Sequence, residues 1–197
     1  MSKPLKGIKT AGILDERAIN RWYPMRVTYS REIKVRDELK ALGVEAFLPM
    51  RFELTRTRGV PRFEYVPAVH NIIFVRSSQL WLSENKRTNK VLASLRYMIR
   101  QPLDVRTQPR EILWVPDRQM ENFIRVASVA DGSVMFLDNP DMGRVGQRVK
   151  IRQGMFAGVE GVIKRIKKNK RIVVAIDGCA AVALTTYVPR EHLIMLD

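Results

Sequence analysis

The stretch Gly146-Gln147-Arg148-Val149-Lys150-Ile151-Arg152-Gln153-Gly154-Met155-Phe156-Ala157-Gly158-Val159-Glu160-Gly161-Val162-Ile163 decides the reading of the chain. Val149 and Ile151 alternate with basic residues, the period of a half-buried strand. Val162 and Ile163 open a second β-prone segment. Between them, Gly154, Gly158 and Gly161 permit backbone turns that side chains would obstruct. Phe156 is placed to plug one end of a small core. The pattern predicts short strands, separated by turns at Gly154 and Gly158, that can line a small barrel.

Downstream the character persists. Strands are predicted at Arg148–Ile151, Gly161–Ile166, Arg171–Ile176, Ala180–Leu184 and Thr186–Val188. Lys168-Asn169-Lys170 and Asp177-Gly178 supply turns. Short, evenly spaced strands point to a small barrel over 146–197. The strongly β-prone Val162-Ile163 and Ile172-Val173-Val174 predict that it is stable as a barrel. Upstream, residues 130–145 are rich in Asp, Gly, Asn and Pro and read as a linker.

Residues 21–129 follow another pattern. Arg21–Tyr29 is aromatic and β-branched, a strand that Pro24 places near an edge or bulge. Ser30 is expected to cap a helix whose apolar face holds Val35, Leu39 and Leu42. Glu45–Thr57 and Arg62–Arg76 predict a long hairpin turning at Gly59 and Pro61, with Arg56, Arg58 and Arg62 at its tip. Its Asn71–Val75 end is apolar enough to be covered on both faces. Leu80–Val91 predicts a helix and Leu95–Val105 a strand interrupted by Pro102. A second amphipathic helix, Arg118–Val129, is capped by Asp117 and striped by Met120, Phe123, Ile124 and Ala127. The order β-α-β-β-α-β-α predicts an α+β domain with an antiparallel sheet flanked by helices. Residues 1–20 read as a flexible leader.

Charge narrows the function classes. The chain has 35 Lys and Arg against 20 acids, a net charge of +15 in 197 residues. Such a field draws in polyanions, nucleic acid first; an acidic protein surface is compatible with the same charge. Cys179 is the only cysteine, so neither an internal disulfide nor a CxxC metal or redox motif is possible. It reads as a small buried thiol in a cytoplasmic protein. No apolar run approaches the roughly 18–20 residues of a membrane span.

The quoted run resembles the KOW motif, G-x-x-V-x-I-x-x-G-x-F-x-G-x-x-G-x-V/I, through Gly146, Val149, Ile151, Gly154, Phe156, Gly158, Gly161 and the Val162-Ile163 pair. KOW domains also occur in ribosomal proteins. Arg21-Trp22-Tyr23 at the first strand resembles the start of the NusG N-terminal (NGN) domain. Pro67-Ala68-Val69-His70-Asn71-Ile72-Ile73-Phe74-Val75 resembles that family's P-L-F-P-G-Y-V-F-V run, and Val115-Pro116-Asp117 its segment before a helix. Over residues 21–197 the chain therefore resembles a NusG-type transcription elongation or antitermination factor. Val69, His70, Asn71 and Ile72 depart from the usual Phe, Pro, Gly or Asn, and Tyr. That departure suits a specialised paralogue of the RfaH or UpxY type, which acts on selected operons such as capsular polysaccharide loci.

The resemblance implies no cofactor and no covalent chemistry. It implies an apolar patch that binds the clamp helices of the largest RNA polymerase subunit, here Arg26, Val69, Ile72 and Phe74, supported by Trp22 and Tyr23. Clamp binding would suppress pausing or termination. A ribosomal small-subunit protein or a termination factor is the implied KOW partner. Non-template DNA or nascent RNA would meet Arg31 and Lys34, the tip arginines Arg56, Arg58 and Arg62, and the basic hairpin Lys164, Arg165, Lys167, Lys168, Lys170 and Arg171. Phosphate attraction of this kind is salt-dependent and carries little sequence information. A monomer is the default expectation. The alternative is a KOW-type ribosome-associated RNA-binding protein without polymerase contact, which leaves the N-terminal domain unexplained. An enzyme is disfavoured, since no P-loop, GxSxG or HExxH is present and only His70 and His192 are available. Asp138 and Asp141 sit in a turn-forming sequence rather than a metal site.

Overall fold

The computed structural model describes residues 15–57, 59–100, 110–138, 146–166 and 168–196. Residues 1–14 of the expected leader lie outside them. Within the remainder of that leader, Glu16–Ala18 form one 3-10 turn, with the Asp15 side chain accepting from the Arg17 N–H.

The N-terminal half is built on a four-stranded antiparallel sheet. Its strands are β1 (Arg21–Val27), β2 (Glu45–Phe47), β5 (Ile72–Ser77) and β6 (Leu95–Tyr97), in the order β2-β5-β1-β6. Between β2 and β5 the chain leaves the sheet as a separate two-stranded ribbon, β3 (Met50–Thr57) and β4 (Val60–Pro67). The expected long hairpin is thus split: only its β2 and β5 ends join the sheet, and the break falls at buried Leu48 and Pro49. Pro24 lies inside β1 opposite Phe74.

Side-chain alternation gives the sheet two apolar faces. On one, Tyr23, Met25, Val27, Ile73 and Val75 pack with Val35 and Leu39 of α1 (Glu32–Ala41) and Leu82 of α2 (Gln79–Thr88). On the other, Trp22, Ile72 and Phe74 meet Met120, Phe123, Val126 and Ala127 of α3 (Asp117–Ala127). β5 is therefore covered on both faces, as its apolar run predicts.

The helix caps differ from expectation. Ser30 does not cap α1: Arg31 holds the N-cap position, and Tyr29 and Ser30 both take positive φ, 66° and 48°. Ser30 therefore lies one residue outside the position from which a side-chain oxygen caps a helix. Pro116 is the N-cap of α3, and Asp117 is its first residue, paired with Arg76 at 3.2 Å. Ser78 does cap α2, its Oγ accepting from the Trp81 N–H at 3.1 Å.

After β6 come the short β7 (Ile99–Arg100) and β8 (Glu111–Ile112), which pair with each other. The Pro102 portion of the expected strand lies outside the described residues.

The C-terminal half is all β. A six-stranded antiparallel sheet has the order β14-β10-β11-β12-β13-β9. Its members are β9 (Val134–Leu137), β10 (Gln147–Ile151), β11 (Glu160–Ile166), β12 (Asn169–Ile176), β13 (Ala180–Leu184) and β14 (Leu193–Leu196). Two of these were not expected. β9 lies within the stretch read as a linker; Val134-Met135-Phe136-Leu137 pairs with the outer edge of β13. β14, not Thr186–Val188, completes the sheet at β10. Tyr187 is 82% exposed, and no strand forms around it.

Candidate functional site

The alternation in β1 separates the residues read as one patch. Trp22 faces the α3 side, whereas Tyr23 points to the opposite core, its ring 5.8 Å from that of Tyr97. Tyr23 therefore cannot share a face with Phe74. Ile72 and Phe74 do share the face of Trp22, but all three are buried. The Phe74 ring lies 5.5 Å from Phe123, and Phe123 also meets Phe47 edge-on at 6.2 Å. Arg26 on the same face is exposed, and Val69 is half-buried at its border.

The loop that carries Val69 is held by a buried carboxylate. Glu32 Oε1 accepts the backbone N–H of Asn71 at 2.8 Å, and Asn71 takes φ 60° to start β5. Glu32 is 4% exposed; the helical period sets it on the face of Val35 and Leu39, but a charged side chain there reads as solvent-facing.

The Phe74 face continues into the C-terminal half. One apolar cluster runs from Trp22, Ile72 and Phe74 through Met120 and Phe123 to Val174, Ile176, Cys179, Ala180 and Val182. α3 lies against β12 and β13. Polar contacts frame this junction. Gln119 Nε2 donates to the Ala175 carbonyl at 3.1 Å, and Arg118 pairs with Glu160. Arg125 donates to the carbonyls of Ala157 at 2.7 Å and Met155 at 3.2 Å. Cys179 Sγ lies 3.7 Å from Met98 Sδ across the same junction. Burial, with a further push from Asp177, raises the Cys179 thiol from 9.0 to about 12; Arg26 opposes the shift. The lone cysteine is thus a packed neutral thiol.

The KOW-like residues occupy this half as a unit. Val149, Ile151 and Phe156 are buried in the shared cluster, and Val162 is half-buried. Gly158 turns the chain at φ 89°. Gly161 lies within β11 rather than at a turn. A Cβ there would come within 2.7 Å of the Val173 carbonyl oxygen and 2.8 Å of Ile172 Cγ2, so the position needs glycine for close strand approach. Gly146 and Gly154 both have positive φ.

The basic residues fall in separate places. Arg31 and Lys34 are exposed beside a cleft of about 820 Å³ at the start of α1, which also contains Asp37, Glu38 and His70. Arg56 and Arg62 are exposed near the end of the β3–β4 ribbon; Arg58 lies outside the described residues. At the β11–β12 hairpin, Lys164 opposes Arg171 and Arg165 opposes Lys170. Like charges directly opposite repel, so this end is electrostatically unsatisfied. Arg165, Lys168 and Lys170 are exposed and Lys164 is half-buried; Lys167 lies outside the described residues. Arg171 is committed elsewhere, donating to the carbonyls of Thr185 at 2.7 Å and Leu184 at 3.3 Å.

Among the described residues, no group of three or more His, Cys, Asp or Glu is arranged to hold a metal ion. No described helix is long and apolar enough to cross a membrane.

The sequence model of the family described as transcription termination factor NusG matches residues 20–124, more than half of the chain. The chain belongs to the NusG family. NusG-family proteins are transcription factors rather than enzymes, and they interact with RNA polymerase. The match spans β1 to most of α3, which includes the Trp22, Ile72 and Phe74 face. Among solved structures the chain is similar to NusG of Thermotoga maritima, described in terms of its domain interaction. The identity is 18% and the TM-score 0.45, over 92% of this chain and 99% of that one. No curated protein sequence matches this chain.

Proposed function

We propose that this NusG-family protein is a specialised paralogue of the RfaH or UpxY type, which binds the clamp helices of RNA polymerase and suppresses pausing or termination on selected operons, capsular polysaccharide loci among them. The observation that supports this reading is the apolar sheet face of Trp22, Ile72 and Phe74, bordered by exposed Arg26 and half-buried Val69. A face of this kind suits the side of an apolar helix. In the present arrangement α3 and the C-terminal sheet extend its core. Helix binding therefore begins at the Arg26 and Val69 border and displaces part of that cover. Such a displacement is driven only by the difference in affinity between covered and uncovered states.

Nucleic acid contact is electrostatic in this reading. The opposed cations of the β11–β12 hairpin gain from a polyanion that relieves their repulsion, and Arg31, Lys34, Arg56 and Arg62 add to the field. The KOW partner is a ribosomal small-subunit protein or a termination factor. The site of action is the cytoplasm, with the chain as a monomer.

The test is pull-down of core polymerase by the full chain, with Val69→Asp and Arg26→Glu as variants, alongside a run-off assay on a pause-containing template. The reading expects retention and faster pause escape with the natural chain, and loss of both with Val69→Asp. Equal retention by all three proteins would reject the assigned face.

A further inference from the structure

The β3–β4 ribbon presents two unlike faces. Phe52 is paired with Tyr65 and Leu54 with Phe63, so these four share one face together with Arg56. On the other, Glu53 opposes Glu64, and Arg62 opposes Thr55. Every carboxylate of the ribbon is thus sorted away from the aromatic side, and Glu53 is held there by Arg51 at 2.7 Å.

The aromatic side is open. Phe52 is 57%, Phe63 65% and Tyr65 54% exposed. The rings nevertheless have a defined order: Phe52 and Phe63 are stacked at 5.4 Å with only 10° between their planes, and Tyr65 lies 5.1 Å from Phe52. Phe52 and Tyr65 also line a cleft of about 310 Å³ that runs on to Val129, Val134 and Phe136 at β9. Contiguous exposed aromatic surface marks a contact site. Parallel rings, with Arg56 further along the same face and no carboxylate on it, select a partner that is flat, aromatic and anionic.

We propose that this face is a stacking platform for the bases of an unpaired nucleic-acid strand, with Phe52, Phe63 and Tyr65 beneath the bases and Arg56 toward the phosphates. A sheet surface with this many rings accommodates on the order of two to three bases. Every base offers a π-face, so stacking is tolerant of sequence. Nothing on this face addresses the sugar, so DNA and RNA strands bind alike. Duplexes, whose bases are already stacked, do not use it. The proposal rests on the reading that this factor meets nucleic acid, and is independent of the clamp-helix reading.

The experiment is fluorescence anisotropy of the full chain with short labelled single-stranded DNA, single-stranded RNA and duplex DNA of the same length, in low and high salt. The natural chain should prefer both single strands over the duplex, with a preference that survives added salt. Phe52→Ala with Phe63→Ala should weaken single-strand binding about tenfold or more and leave duplex binding unchanged, while Phe52→Trp retains it. Lys168→Ala with Lys170→Ala should weaken single strands and duplex together, which separates stacking from the electrostatic reading. These ring positions are exposed, and unchanged circular dichroism will show that the variants fold. Single-strand affinity within twofold of the natural chain in the double alanine variant would overturn the proposal. So would loss of core-polymerase retention in that variant with oligonucleotide binding intact, since the face would then be a protein contact.

Discussion

Glu32 Oε1 accepts the backbone N–H of Asn71 at 2.8 Å, tying the first turn of α1 to the residue that starts β5. One buried carboxylate thereby positions the loop with Val69 next to the strand with Ile72 and Phe74. Replacing it with alanine leaves that donor without its charged partner, at a cost of about 1–3 kcal/mol. Glu32→Gln keeps an acceptor oxygen and should lose less. Urea denaturation of the two variants checks the order.

Gly161 and Gly154 should respond differently to alanine. At Gly161 the new methyl meets the Val173 backbone and the Ile172 side chain, an overpacking of about 1–3 kcal/mol. At Gly154 nothing lies within 4 Å, and only the φ of 88° resists, at about 1–2 kcal/mol. The discriminating readout is structural. Amide shifts in β12 should move with Gly161→Ala and stay unchanged with Gly154→Ala.

The thiol of Cys179 supplies a pH prediction. Its folded pKa is about 12 against 9.0 ordinarily, so above pH 9 the unfolded chain releases this proton and the folded one retains it. The unfolded state then binds fewer protons, and stability falls as pH rises. Between pH 8 and pH 10 the natural chain should lose about 1.4 kcal/mol more than Cys179→Ala. Guanidinium titrations of both proteins at the two pH values measure the difference. An equal loss would mean the thiol is open to solvent. Native Cys179 should likewise resist thiol reagents that label it at once in denaturant.

At the junction between α3 and the C-terminal sheet, Arg118 pairs with Glu160, and Arg125 donates to the carbonyls of Ala157 and Met155. Both arginines are exposed and Glu160 is half-buried, and a pair this open to solvent contributes about 0–1 kcal/mol. Arg118→Ala with Arg125→Ala should therefore barely change global stability. It should loosen the junction, visible as faster amide exchange in α3 and β12 with exchange in β1 and β5 unchanged.

Much of this architecture is legible in the sequence. The alternation around Val149 and Ile151, the apolar run into Val75 and the stripe of Met120 and Phe123 each carried an element and its buried face. The misses have local causes. Val134–Leu137 is a four-residue apolar run among turn formers, too short to show a period; only the free edge of β13 makes it a strand. Thr186–Val188 is β-prone, yet β10 pairs with Leu193–Leu196 instead. The Phe74 face could be listed residue by residue, but strand register puts Tyr23 on the wrong side of it. No pattern in the sequence foretold that α3 and the second half would extend the same core. The aromatic ribbon was missed because Phe52, Phe63 and Tyr65 look like core in one dimension; their exposure depends on the ribbon leaving the sheet.

The central claim is that this chain grips polymerase through the face bordered by Arg26 and Val69. Its most direct measurement is titration of the full chain with a labelled clamp-helix fragment, using the natural protein, Val69→Asp, and Arg118→Ala with Arg125→Ala. Saturable binding, abolished by Val69→Asp and strengthened when the junction is loosened, is the predicted result. Binding indifferent to all these changes, or none in a folded protein, would contradict it.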